Sequence, residues 1–163
     1  MTLAEVNALE RGPFVSALGW IFEESPWVAG RVWSRRPFPS RDRLHAAMVE
    51  TVEHAAPAEQ LALLRSHPDL GARARVSHAS WSEQSGAGLN ELTPDEFDWL
   101  TRSNAAYRAR FEFPFLYAVK GGTKHDILRA LERRLAQPRE AEYAEALRQV
   151  YRIALFRLED AIS

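Results

Sequence analysis

The chain reads as an all-α protein, a compact bundle of roughly eight to ten helices forming one domain over residues 1–163. Three observations carry that reading. Helix-start signals recur from end to end, apolar residues repeat at three- and four-residue intervals, and Leu, Ala, Arg and Glu are abundant. A length of 163 residues suits a single domain and can bury a core without disulfides or metal.

Taken in order, Pro13 opens a helix through PFVSALGWIFEE, with Phe14, Leu18, Ile21 and Phe22 on one side. SPWVAGRVW predicts a second short helix, capped by Ser25 with Pro26 at its first position. Ser40 precedes RDRLHAAMVETVEHAA, where Leu44, Met48 and Val52 recur at helical spacing. Pro57 opens AEQLALLRS, a helix ending at His67 because a residue before proline is pushed out of the α region. Thr93, Pro94 and Glu96 make a capping box whose helix runs to about Arg110. FEFPFLYAVKGG breaks the pattern, and its apolar run is equally a strand or extended coil. Thr123 begins another helix, and a long one from Arg139 carries Leu147, Val150, Ala154 and Leu158.

Composition excludes several functions. The 21 basic and 22 acidic residues nearly cancel, which is not the footprint of a nucleic-acid binder. Without cysteine there are no disulfides, thiolate nucleophiles or cysteine-based metal sites. The amino terminus lacks the pattern of a secretory signal, no run approaches the ~18 apolar residues of a membrane span, and the final AIS is not a peroxisomal address. A soluble cytoplasmic protein is expected. Neither GxGxxG nor GxxxxGK occurs, so no phosphate loop is present.

Three places remain where chemistry can reside. His67, in RSHPDLGARA, ends its helix beside carbonyls that favour a protonated imidazole. Such a ring can exchange a proton near neutral pH, or it can simply cap those carbonyls while PDLG turns. A metal on His67 and Asp69 has no second cluster to support it. In SWSEQSGAGL, Ser80 and Glu83 fit a capping box, worth ~1 kcal/mol. That box leaves Gln84 unexplained, along with Gly86, Ala87 and Gly88, whose small size allows close approach. Arg157 continues the stripe Ala146, Val150, Ile153 and so needs an anion if buried. Asp160, three residues on, is one partner, and a substrate carboxylate held in a two-pronged pair is another. His45, His54 and His125 lie in amphipathic helices, His78 lies in a polar loop, and the tryptophans and the RPF of Arg36–Phe38 read as core and turn.

Together these pieces resemble one family, the 2-oxo-4-hydroxy-4-carboxy-5-ureidoimidazoline (OHCU) decarboxylases of urate breakdown. The matching elements are FVSALGWIFEESPWVAGRVW with RPF, HPDLG, SWSEQSGAGL, NAAYRARFEFPF with AVKG, and ALRQVYRIALFRL, in the family's order from Phe14 to Leu158. The resemblance implies a cofactor-free, all-α homodimer that converts OHCU to (S)-allantoin and carbon dioxide, with no nucleic-acid or membrane partner. It implies a proton-transfer role for His67, with Pro68 lining the pocket. It also implies substrate contacts from Ser80, Glu83 and Gln84, main-chain contacts from Phe115, Leu116, Tyr117, Ala118 and Val119, and an orienting role for Arg157. The sequence departs from the family at Glu112, commonly glycine, and at Ser66, commonly alanine. Three rivals stand beside it: a ureide-binding module that has lost catalysis, a same-fold enzyme acting on another ureido acid, and a metal hydrolase using His67 and Asp69.

Overall fold

Threonine, serine and proline start most of the helices, as their chemistry dictates. The computed structural model describes residues 1–71 and 83–163. Its α-helices are α1 (Leu3–Ala8), α2 (Arg11–Leu18), α3 (Trp27–Val32), α4 (Arg41–Glu53), α5 (Pro57–Arg65), α6 (Pro94–Phe111), α7 (Lys124–Leu135) and α8 (Arg139–Ala161). Two 3-10 turns, Trp33–Arg35 and Leu89–Glu91, and a helical turn at residues 83–86 complete the described elements. No strand occurs among the described residues, so the run after Phe113 is extended coil.

The caps explain the boundaries. Ser40 accepts the Arg43 N–H at 3.2 Å, Thr93 accepts that of Glu96 at 3.2 Å, and Thr123 accepts that of Asp126 at 3.3 Å. Thr2 does the same for Glu5 at 3.2 Å, which starts α1, a helix for which the T-L-A-E capping signal was present at the chain start. The helix expected through Glu24 stops at Leu18 instead. Gly19 closes it, where an added Cβ would lie 3.2 Å from the Pro26 Cβ, and Glu24 turns left-handed at φ 45°. Ile21 and Phe22 are still buried, although no helix carries them. Ser25 does not cap α3: its hydroxyl donates to the Glu23 carbonyl at 2.8 Å, and the helix starts at Trp27.

The chain divides into two units, one of residues Met1–Ser66 with Tyr151–Ser163, the other of His67–Val150. In the first, α3 packs against α2 and α4, and Phe14, Phe22, Leu44 and Met48 are buried in its core. Each such side chain contributes about 1.5–3 kcal/mol on leaving water. Here the RPF stretch carries a cis Arg36–Pro37 bond, and the Ser163 N–H donates to the Met1 carbonyl at 3.0 Å. In the second unit α6 packs on α7. Its centre is aromatic: the Tyr107 ring lies 4.5 Å from Phe111, 6.0 Å from Phe113 and 5.5 Å from Phe115, in tilted or edge-on contacts. No described helix is long and apolar enough to cross a membrane.

Candidate active site

The HPDLG segment lies between helices, so its backbone groups must find partners outside a ladder. Helix α5 ends at Arg65, two residues earlier than expected, with Ser66 as its cap. The Ser66 N–H reaches the Ala62 carbonyl at 3.0 Å, and its hydroxyl lies 2.7 Å from the Leu63 carbonyl and 2.9 Å from that of Glu23. This serine therefore serves the helix end itself, which accounts for its presence before His67. His67 is 5% exposed and Pro68 half-buried.

The three residues after Pro68 are each held by a side chain. Asp69 accepts from Arg108 at 2.8 Å, the Leu70 carbonyl from Asn104 Nδ2 at 3.0 Å, and Gln84 Oε1 accepts the Gly71 N–H at 2.9 Å. Asp69 is thus an ion-pair partner of an arginine. Gly71 must be glycine: its φ is 79°, and a Cβ there would meet Leu100 Cδ2 at 2.6 Å.

The bond from Gly71 to Gln84 joins two of the sequence motifs, HPDLG and SEQ. Gln84 is 5% exposed, and Glu83 is half-buried in the helical turn. Ser80 and His78 lie outside the described residues, and with Ser80 goes the capping box expected with Glu83. A Cβ on Gly86 or Gly88 would have no described atom within 4 Å, whereas Gly88 is required by its φ of 82°.

In the coil after α6, Phe115, Leu116, Ala118 and Val119 are buried and Tyr117 is half-buried. Two of the main-chain groups expected to meet substrate already have protein partners. The Ala118 N–H donates to Gln149 Oε1 at 2.9 Å, and the Leu116 carbonyl accepts from Arg134 Nη1 at 2.5 Å. Glu112, where the family commonly has glycine, adopts the glycine-like conformation at φ 66°, ψ 18° and closes α6 through its N–H to the Arg108 carbonyl at 2.9 Å. The backbone shape at this position is kept, at a cost of about 1–2 kcal/mol for a residue with a Cβ.

Arg157 is 3% exposed and pairs with Glu23, itself 5% exposed, at 2.8 Å. Its Nη1 also donates to the carbonyls of Trp20 and Ile21 at 3.1 and 3.4 Å. Glu23 is 134 residues away in sequence, so helical spacing did not point to it. These carbonyls and Glu23 belong to the stretch where α2 stops short, and that early stop is what turns them toward the arginine.

A second buried arginine escaped the sequence reading. Arg134 donates from Nε to Glu142 Oε1 at 2.6 Å and sits 4.6 Å above the Phe115 ring, while the Tyr107 hydroxyl donates to the same carboxylate. Burial, followed by the hydrogen bond to Glu142, pushes the Tyr107 hydroxyl pKa well up, so it remains a donor. The signal was available: Ile127, Ala130, Leu131 and Arg134 form the same kind of arginine-ended apolar stripe as in α8.

Comparison with known proteins places the chain in a family. The family model for OHCU decarboxylase matches residues 7–159. The OHCU decarboxylase of Haloferax volcanii is 45% identical over 163 residues, covering 100% of this chain and 97% of that protein. That of Halalkalicoccus jeotgali is 43% identical over 160 residues, covering 98% of this chain and 91% of that one. A crystal structure of (S)-allantoin synthase superposes with a TM-score of 0.83 at 31% identity, covering 99% of this chain and 54% of that chain. The chain belongs to the OHCU decarboxylase family.

Proposed function

We propose that this protein decarboxylates OHCU to (S)-allantoin and carbon dioxide in urate breakdown, working as a cytoplasmic homodimer. The family match supports the reaction, and the structural observation that carries the site is the bond from Gly71 to Gln84, which draws the His67 segment and the SEQ segment together. The carboxylate of OHCU sits on a ring carbon next to a C=N bond. Electrons released with carbon dioxide flow into the ring nitrogen, so the substrate carries its own electron sink and no cofactor is required. The protein must add orientation, charge placement and protonation of one face.

His67 handles the hydroxyl proton or delivers the proton that sets the stereocentre. Glu83, beside the carboxylate, favours its loss and accepts from the ureido or ring N–H groups. Because Gln84 Oε1 receives the Gly71 N–H, its amide nitrogen is turned to donate, toward a substrate carbonyl oxygen. Arg157 orients an anionic oxygen, its guanidinium already fixed by Glu23, Trp20 and Ile21. Pro68, Ser80 and the segment Phe115–Val119 supply further substrate contacts.

The test is to generate OHCU from urate with the upstream enzymes and follow allantoin by circular dichroism. Wild-type protein is expected to give faster and one-handed product, and product no faster and no more one-handed than in buffer would refute the reaction. His67→Asn is expected to lose a factor on the order of 10²–10⁴ in rate. Full activity in that variant removes His67 from its role and leaves the family membership intact.

A further inference from the structure

We propose that Asn104 is a positioning residue for His67, the central tie of a rail along α6 that sets where the imidazole stands. This rests on the reading that His67 carries the proton transfer. Leu100, Asn104 and Arg108 are four residues apart and share one face of α6. They meet the chain after His67 in strict reverse order: Leu100 against Gly71, Asn104 on the Leu70 carbonyl, Arg108 on Asp69. Two such helical steps cover about 12 Å, whereas the two residues from Asp69 to Gly71 span at most about 7 Å. The mismatch is taken up by side-chain reach, which grows along the rail from contact with leucine to the full length of arginine.

The ties differ in strength. The side chains of Arg108 and Asp69 are 46% and 35% exposed, so solvent weakens their pair. Asn104 is 5% exposed, and its bond closes a carbonyl that has no place in a helix. Losing a buried tie leaves an unsatisfied acceptor that the segment can relieve only by shifting. His67 lies three residues before Leu70, with Pro68 stiffening the connection, so a shift at Leu70 passes to the imidazole.

Asn104→Asp removes the donor and keeps the shape. In the OHCU assay kcat is expected to fall on the order of 10²-fold while KM stays within about threefold, because proton placement is lost and binding is not. The enzyme-dependent product, after subtraction of the buffer reaction, should also lose handedness, a change that mere loss of folded protein cannot produce. A raised KM with unchanged kcat, or unchanged kcat with one-handed product, overturns the proposal. Should Asn104→Asp not fold, Arg108→Gln on the half-exposed tie decides: kcat down roughly threefold with KM unmoved supports the rail, and unchanged kcat overturns it. An inactive wild type or a fully active His67→Asn removes the underlying reading. An inactive His67→Asn beside an unaffected Asn104→Asp removes this proposal alone.

Discussion

Two buried arginine–glutamate pairs, one in each unit, use nearly the same chemistry. Arg157 pairs with Glu23 and donates to two loop carbonyls; Arg134 pairs with Glu142 and donates to one. Each lies near an aromatic ring, Trp20 at 6.0 Å and Phe115 at 4.6 Å. They differ in their surroundings. Arg134 shares its carboxylate with the hydroxyl of Tyr107 in the aromatic centre. Arg157 lies beside Trp20, which is 41% exposed. Burial and pairing alone therefore do not separate Arg134 from Arg157, the one proposed to meet a substrate. The separation comes from the motif around it.

Substituting each arginine by methionine tests that distinction most directly. Either change strands a buried carboxylate and is expected to cost about 3–5 kcal/mol in urea unfolding. Turnover per folded molecule should survive in Arg134→Met and fall on the order of 10²-fold in Arg157→Met. Equal turnover in both variants would make Arg157 a scaffold residue as well.

Glu112→Gly has a smaller effect. Releasing a Cβ from the left-handed region stabilises by about 1 kcal/mol, partly offset by the freedom that glycine gives the unfolded chain. The ion pair of Glu112 with Arg139, more than half exposed on both sides, adds little to retain. A higher thermal midpoint with unchanged turnover is expected. A marked gain in turnover would mean that Glu112 had distorted the segment before Phe115.

The smallest effect concerns pH. The bond from Lys124, then the N–H of Thr93, lowers the Glu96 carboxyl from its ordinary 4.5 to about 2. A folded-state value below the unfolded one contributes stability above about pH 4.5 that is lost as pH falls toward 2. Thermal melts of wild type and Glu96→Gln should therefore differ near neutrality and converge in acid. A gap that persists below about pH 2 would point to shape, not charge.

Local signals were legible where one residue type answers one local need. Ser40, Pro57, Thr93 and Thr123 start helices as read, because a cap depends only on the next few residues. The early end of α2 was not legible, because Ile21 and Phe22 keep helical spacing while the Trp20 and Ile21 carbonyls are recruited by Arg157, far along the chain. Motif order pointed to His67, Gln84 and Arg157 as candidates for the chemistry. The ties that set their geometry, from Asn104, Arg108 and Glu23, were hidden, since each joins residues 34 to 134 positions apart.

The hydrogen bond between Ser163 and Met1 has an architectural consequence. Residues 1 and 163 leave the first unit at one spot, so a segment joined at either of them departs from the same patch of surface. The fold can thus be carried in a longer polypeptide by a single tether point, leaving the rest of its surface clear. The (S)-allantoin synthase structure, in which the matched region is 54% of the chain, shows a fold of this kind in a longer chain.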